Sequence, residues 1–102
     1  MSAADVFTAL ADPTRREVVR ALAARPGLTA SGLAAELPVS RQAIAKHLTI
    51  LEAAGLADGS REGRERRYVL TPEPLFDAAR WMAEVGGAWD ERLGRLRHQL
   101  DG

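Results

Sequence analysis

The sequence contains no cysteine, which excludes disulfide bonds, thiol chemistry and cysteine-ligated metal sites. No apolar run reaches the length of a membrane span, and residues 1–10 lack a basic segment followed by an apolar one. Neither a membrane protein nor an exported one is therefore predicted. Because 46% of the 102 residues are hydrophobic, disorder is not expected either. We predict a cytoplasmic protein with a single domain, residues 1–102. A chain of this length forms only a modest core, and dimerisation would add buried surface to it.

The chain also lacks net charge, with 14 basic residues against 14 acidic ones. Taken alone, this balance argues against binding to nucleic acid. The charges are unevenly distributed, however, because residues 41–67 hold six basic residues against four acidic ones, and residues 68–102 hold four against six. A locally basic surface on a neutral protein can still bind phosphate groups.

Residues 31–56 have the pattern of two short helices joined by a tight turn. Leu33 and Leu37 lie four residues apart on the first helix, which Pro38 prevents from continuing. Ser40 can cap a second helix, and Gly55 is suited to end it. The apolar stripe of that second helix consists of Ile44, Leu48 and Leu51. Residues 29–55 are therefore predicted to form a helix-turn-helix, whose second helix reads the major groove of DNA.

Two further helices precede this unit. The spacing of apolar residues predicts a short helix over Asp5–Leu10. Asp12 is a candidate cap for the next helix, which has Pro13 at its first position and continues to about Ala24. Thr29 is a plausible cap for the first helix of the helix-turn-helix.

After Gly55 the apolar period changes from that of a helix to that of a strand. Tyr68 and Leu70 alternate with Arg67 and Val69, which is typical of a β-strand. We predict a hairpin, residues 56–70, with strands 56–61 and 66–70 on either side of the segment Glu62-Gly63-Arg64-Glu65. A hairpin that follows a helix-turn-helix is the wing of a winged helix. The predicted fold class is mainly α with a small β-hairpin, namely a winged helix-turn-helix with about five helices and a two-stranded wing.

A long last helix is predicted over residues 73–100, and its apolar stripe is longer than one small core needs to cover. The residues spaced by three or four are Leu75, Ala78, Met82, Val85, Trp89, Leu93, Leu96 and Leu100, with Trp81 close by. An exposed apolar patch of this kind predicts a two-fold dimer. Residues 5–11, with Phe7 and Leu10, are expected to join the same interface. Gly86-Gly87 in the middle of the helix indicates either a kink or a close helix crossing.

Three segments, ADPTRREVVRAL, LAAELPVSRQAIAKHLTILEAAGL and REGRERRYVL, resemble the ArsR family of bacterial winged-helix repressors, and the likeness extends over nearly the whole chain. The pattern W-x(7)-W-D-x-R-L-x-R-L in the last helix resembles the branch of that family without metal-binding cysteines. The resemblance implies a homodimer, paired through its first and fifth helices, that binds double-stranded DNA at an inverted-repeat operator and represses transcription.

The sequence departs from the family pattern at two places. Ala45 stands where many relatives carry a serine that contacts DNA, so one hydroxyl contact is expected to be missing. The last helix has a single histidine, His98, beside exposed carboxylates, and these do not make a closed tetrahedral metal site. We predict no metal site and no cofactor requirement for DNA binding.

The candidate base-reading residues are Arg41 and Gln42, since arginine can bind guanine and glutamine can bind adenine in bidentate fashion. Lys46 is expected to bind phosphate. The H-L pair of the family pattern gives His47 a DNA-facing role, although taken alone it would be a half-buried core histidine. The predicted DNA-facing set also includes three hydroxyl residues at helix starts, namely Ser40, Thr29 and Ser31, although capping alone explains Thr29 equally well.

In the wing, Arg64 lies at the tip and is predicted to contact the minor groove or its phosphates. Arg66 and Arg67 are candidates for the same role, but Glu62 and Glu65 can instead hold them in surface ion pairs. For Arg15 and Arg16 we favour a structural role, in which the side chains of Asp12 and Thr14 hold the helix start and one arginine pairs internally.

No nucleophile lies beside a base and an orienting group, so no catalytic residue and no enzyme activity is predicted. The sequence predicts a DNA-binding transcriptional regulator, and the family resemblance implies that it acts as a repressor. Two alternatives stay open: a winged-helix dimer that binds other proteins rather than DNA, and a repressor with a small-molecule effector at the dimer seam near Trp81 and Trp89. No residue requires such an effector.

Overall fold

The computed structural model describes residues 3–101, in which five helices surround a core next to one two-stranded sheet. Residues 1, 2 and 102 of the predicted domain lie outside the described residues. The predicted fold class is confirmed. In chain order the elements are α1 (Ala3–Leu10), α2 (Pro13–Ala24), α3 (Ala30–Glu36), α4 (Arg41–Ala53), β1 (Ala57–Glu62), β2 (Glu65–Leu70) and α5 (Glu73–Asp101).

Helices α2, α3 and α4 begin at the three predicted caps. The carboxylate of Asp12 accepts two hydrogen bonds from the first turn of α2, at 2.8 and 3.2 Å. The hydroxyls of Thr29 and Ser40 each accept one from the first turn of α3 and α4, at 3.0 and 3.1 Å. These acceptors satisfy N–H groups that have no partner within the helix, and so they define where each helix starts.

The core lies where α2, α3 and α4 meet the first residues of the hairpin. Its fully buried side chains all come from apolar positions with helical spacing or from the residue that leads into β1. They are Val18, Leu22, Leu33, Ile44, Leu48, Leu51 and Leu56. The predicted stripe of α4 is thereby confirmed, and its burial directs the opposite face of that helix to the surface.

Gly55 ends α4, as predicted. Its φ of +75° is a left-handed conformation that costs little only for a residue without a Cβ. The N–H of Leu56 then donates to the carbonyl of Leu51 at 2.9 Å, which closes the helix end and directs the chain into β1.

The turn of the hairpin is tighter than the sequence predicted, and β1 starts and ends one residue later than predicted. The strands pair from Ala57 opposite Leu70 to Glu62 opposite Glu65, so the loop contains two residues rather than four. Gly63 in that loop has a φ of +64°, the conformation that two-residue hairpin turns favour. The prediction of a four-residue turn was wrong because the charged residues Glu62 and Glu65 are typical of loops. In the structure they pair with each other and form the last residue pair of the hairpin at its exposed end.

The wing is attached to the loop between α2 and α3. The N–H of Gly27 donates to the carbonyl of Tyr68 at 2.9 Å, and the N–H of Tyr68 donates to the carbonyl of Leu28 at 3.0 Å. This antiparallel bridge, together with the buried ring of Tyr68, fixes the base of the hairpin against the helical core.

Helix α5 extends well beyond the core. It contains 29 residues and is about 43 Å long. Near its start Ala78 is buried, and the ring of Trp81 lies 5.7 Å from the ring of Phe7 in α1. Every residue from Ala79 to Leu100 is exposed, so most of α5 is left uncovered by its own protomer.

Candidate nucleic-acid interface

The surface of α4 presents Gln42 and Lys46 one turn apart on the same face. Both side chains are exposed, and neither makes a hydrogen bond or ion pair with any residue between 3 and 101. The core stripe determines this orientation, because burial of Ile44 and Leu48 leaves these positions to the solvent. The amide and the ammonium group are therefore available to a partner outside the protomer.

Arg41 and Ser31, predicted as separate DNA contacts, are brought together by the structure. The Nε of Arg41, at the first position of α4, donates to the Oγ of Ser31 in the first turn of α3 at 2.9 Å. Both residues are exposed. The bond joins the two helices of the helix-turn-helix near their N-terminal ends.

The other two hydroxyl residues of the predicted set already act within the fold. Thr29 is half-buried, and its hydroxyl oxygen accepts from α3. The hydroxyl oxygen of Ser40 accepts from α4. Helix capping thus explains the position of both hydroxyl oxygens. For Thr29 the sequence had already indicated this alternative to DNA contact.

His47 contacts Arg15, a residue of α2. The Arg15 side chain is 13% exposed, donates from Nε to the Ala9 carbonyl at 2.7 Å, and places Nη1 3.3 Å from His47 Nδ1. Because arginine has no acceptor, a hydrogen bond between these two atoms requires Nδ1 to be the acceptor and leaves Nε2 to carry the ring proton. The predicted internal pairing of one arginine is confirmed, and a DNA contact by His47 is restricted to Nε2.

The start of α2 is electrostatically linked to this contact. Hydrogen bonds from the N–H groups of Arg15 and Thr14 hold the pKa of the Asp12 carboxyl below its ordinary value of 3.8, assisted by the charge of Arg15. Thr14 contributes its backbone N–H to this cap, whereas the sequence had suggested its side chain. Arg16 donates to the Leu10 carbonyl at 2.8 Å, so both arginines satisfy carbonyls at the end of α1.

Arg66 is held by the body of the protein. Its Nη2 donates to Glu52 of α4 at 2.9 Å, and its guanidinium lies 5.6 Å from the ring centre of Tyr68. The carboxylate of Glu52 raises the pKa of Arg66. A Cβ on Gly59, directly across the hairpin, would lie 2.6 Å from the Nε of Arg66 and 2.8 Å from the Tyr68 ring. The glycine therefore provides the space in which the guanidinium stacks.

Arg67 lies among acidic side chains on the other face of the hairpin. It pairs with Glu62 at 2.9 Å and with Glu65 at 3.0 Å, and it donates to the Gly27 carbonyl at 2.9 Å. Of the two roles that the sequence left open, the structure contains the ion-paired one: Arg67 has the predicted partners, whereas Arg66 pairs with Glu52 instead of Glu62 or Glu65.

Arg64 differs from both. It occupies the two-residue turn at the wing tip, is exposed, and makes no ion pair or hydrogen bond within the described part of the chain. Its guanidinium is therefore unpaired within residues 3–101, unlike those of Arg66 and Arg67.

Sequence reasoning missed Glu52, Tyr68 and Gly59 as residues that position the wing. Only the strand register, which places Gly59 opposite Tyr68, would have indicated the close approach. The pairing of Glu52 with Arg66 spans 14 residues and two elements, and no local pattern identifies it.

The predicted dimer residues of α5 form one exposed apolar surface, which we call the α5 stripe. Its exposed fractions range from 41% to 54%, for Trp81, Met82, Val85, Trp89, Leu93 and Leu96. Phe7 and Leu10 of α1 are half-buried against the core at one end of it. Contiguous apolar surfaces of this extent are uncommon on monomeric proteins.

Within residues 3–101, no group of three histidine, aspartate or glutamate side chains lies close enough to hold a metal ion. In the same part of the chain, no helix is both long enough and apolar enough to cross a membrane.

Comparison with known proteins identifies relatives over most of the chain. Residues 10–59 match a family model described as a helix-turn-helix domain. The transcriptional repressor SdpR of Bacillus subtilis (strain 168) is 35% identical over 89 residues, which cover 87% of this chain and 98% of that protein.

Two solved structures extend the comparison. An ArsR-like transcriptional regulator from Rhodococcus sp. RHA1 is 46% identical, with a TM-score of 0.81 over 94% of this chain and 90% of the other. A homodimeric winged helix-turn-helix DNA-binding domain from Mycobacterium bovis, described as a possible ArsR-family regulator, is 28% identical, with a TM-score of 0.64 over 90% of this chain and 82% of the other.

Proposed function

The chain belongs to the ArsR family of winged helix-turn-helix transcriptional regulators, which are not enzymes, and we propose that it is a homodimeric repressor that reads an inverted-repeat DNA operator. The observation that carries the proposal is the exposed face of α4. Gln42 and Lys46 lie there beside Arg41, and neither of these two side chains makes a hydrogen bond or ion pair in the described chain. A protein that binds genomic DNA acts where that DNA is, which for a bacterial regulator is the cytoplasm.

In this proposal α4 enters the major groove by its N-terminal end. Gln42 pairs with an adenine and Arg41 with a guanine, since their donor and acceptor groups match those base edges. Lys46, one turn further on, binds a phosphate and fixes the helix in register without specifying sequence. The Nε2–H of His47 is a further donor to a phosphate or base.

The wing adds a second contact through its tip. Arg64 has no ion-pair partner in residues 3–101, and so it reaches a phosphate or the minor groove without breaking an existing bond. Arg66 and Arg67 hold the hairpin instead, through Glu52, Glu62 and the Gly27 carbonyl. Of the three wing arginines in the predicted DNA-facing set, we therefore assign DNA contact to Arg64 alone.

The dimer is proposed to form through the α5 stripe, together with Phe7 and Leu10 of α1. An apolar surface left open along a helix of about 43 Å is best covered by the same surface of a second copy, which a two-fold axis supplies. The homodimeric winged-helix domain from Mycobacterium bovis supports this assembly. The dimer axis then places two α4 helices in successive major grooves, about 34–36 Å apart.

Repression is proposed because the Bacillus subtilis relative is a transcriptional repressor. A dimer seated on an operator that overlaps a promoter excludes polymerase without any further activity.

The test is selection of duplexes from a random pool by the full chain, followed by fluorescence anisotropy on the selected duplex and on a scrambled one. Lys46 and Arg64 from both protomers make about four phosphate contacts, which predict an affinity loss of about 100-fold between about 50 and 200 mM salt. Lys46→Ala should reduce that loss to about tenfold. Gln42→Ala should leave the salt response unchanged and reduce the preference for the selected duplex.

Arg20→Ala is the matched control, because Arg20 is exposed on α2, pairs with Glu17 and lies outside the proposed interface. This substitution should alter neither the salt response nor the preference for the selected duplex. Equal affinity of the wild type for both duplexes, or no binding at low salt, would contradict the proposal.

A further inference from the structure

The bond between Ser31 and Arg41 is the only side-chain hydrogen bond or ion pair in the described residues that links the first turn of α3 to the first turn of α4. Neither residue is needed for the core, since both are exposed. Neither caps its helix, since Thr29 and Ser40 do so. The bond therefore lies outside both the core and the helix caps.

We propose that Ser31 is a positioning residue, which orients the guanidinium of Arg41 toward a guanine base and thereby sets part of the sequence preference. This inference rests on the proposed DNA-binding function. It assigns to Ser31 a role different from the direct phosphate contact that the sequence had suggested.

The chemistry of arginine supports this role. Its guanidinium has five N–H donors in a rigid plane, and here the Nε–H is occupied by the Ser31 oxygen. The two terminal nitrogens make no hydrogen bond or ion pair within residues 3–101. Together they form the fork that matches the O6 and N7 acceptors of guanine. A bond at Nε thus fixes the plane of the group without using the atoms that read the base.

A fixed plane matters because Arg41 is a long, exposed side chain. Without an orienting bond, the side chain loses its rotamer freedom only when DNA binds, and this loss weakens binding. With the bond, part of that ordering has already occurred in the free protein. Arg64 provides the contrast, since it has no such partner in the described chain and suits a phosphate, which needs no single orientation.

The experiment replaces the guanines of the selected duplex one at a time with 7-deazaguanine, which keeps base pairing but lacks the N7 acceptor. Binding is measured for the full-length wild type, Arg41→Ala, Ser31→Ala and the double variant. The expected result is one guanine per half-site whose replacement weakens the wild type but not Arg41→Ala. At that guanine Ser31→Ala should weaken binding about three- to tenfold and reduce the effect of 7-deazaguanine.

Two further results are expected if Ser31 acts through Arg41. Ser31→Ala should have no effect in the Arg41→Ala background, and it should leave the salt response unchanged. Ser31→Thr, which keeps the hydroxyl, should restore the preference for guanine.

Other results would overturn the inference while leaving the proposed function intact. If Ser31→Ala weakens binding equally on all duplexes, lowers the salt response and acts also in the Arg41→Ala background, Ser31 binds phosphate directly. If Ser31→Ala has no effect on a wild type that prefers the selected duplex, the bond does not position Arg41. A wild type with no sequence preference would overturn both the inference and the proposed function.

Discussion

Replacing Trp89 with alanine should separate the proposed dimer into folded monomers. Trp89 lies in the middle of the α5 stripe and is 54% exposed in the protomer. The ring has no place in the core, and it is stacked by Arg92 of the same helix, whose guanidinium lies 5.3 Å from the ring centre. The substitution therefore removes surface that only a second chain would cover.

The size of the effect follows from that exposure. A tryptophan side chain presents up to about 250 Å². The exposed part of Trp89 is then about 130 Å², worth about 3 kcal/mol when covered at about 25 cal/mol per Å². Two protomers give about 6 kcal/mol per dimer. Because the alanine still buries part of this area, we expect about 4 kcal/mol, a rise of about 1,000-fold in the dimer dissociation constant.

Analytical ultracentrifugation over a range of concentrations measures that constant, with circular dichroism to establish that the variant is folded. Phe76→Ala is the matched control, because Phe76 is 62% exposed on the same helix. It lies 13 residues away and points about 140° from Trp89 around the helix axis. Phe76→Ala should leave the dimer intact. Equal dissociation constants for wild type and Trp89→Ala, or a wild type that is monomeric, would refute the reasoning.

Three further predictions concern stability, measured by urea unfolding. Gly59→Ala should lower the free energy of unfolding by about 1–3 kcal/mol, because its Cβ would meet side chains of β2 at 2.6 and 2.8 Å. Gly94→Ala, where a Cβ meets nothing within 4 Å of the described chain, should not lower it. Arg15→Ala should cost about 1–3 kcal/mol, because it leaves a part-buried carbonyl and an imidazole nitrogen without their donor. Arg20→Ala, which breaks an exposed pair, should change the value by less than about 1 kcal/mol; equal costs for the two arginines would contradict the assignment of Arg15. Folding lowers the pKa of Asp12, so the ionised carboxylate stabilises the folded state. This contribution to the free energy of unfolding is fully present above the ordinary pKa of 3.8 and is lost as the pH falls through the lowered value. Asp12→Asn should therefore show a weaker decline in stability in that acid range, and an unchanged decline would contradict the link between this carboxylate and the start of α2.

The starts of α2, α3 and α4 were predictable because their causes are local, whereas α1 begins at Ala3 rather than at the predicted Asp5. Asp12, Thr29 and Ser40 each act within three residues of the N–H groups that they satisfy, and the apolar stripe of α4 repeats at helical spacing. The tip of the wing was less predictable. Glu62 and Glu65 are charged residues at an exposed end, and their pairing depends on the register of the whole hairpin.

The partners of the site residues were not predictable from local pattern. Arg15 and His47 are 32 residues apart, and Arg66 and Glu52 are 14 apart, so only the packed structure brings each pair together. The sequence identified the basic residues of the wing but not which of them the fold itself uses. Because the fold itself uses Arg66 and Arg67, only Arg64 is left of the three wing residues that were candidates for DNA contact.

The central claim is that two α4 helices of one dimer read two half-sites of the same operator. The most direct test is the affinity for the selected inverted repeat, compared with the same duplex carrying about five extra base pairs between its half-sites, which rotate one half-site to the opposite face of the DNA. The account predicts a loss of about 100-fold or more, because only one recognition helix would then reach its bases. Equal affinity for the two duplexes would contradict it.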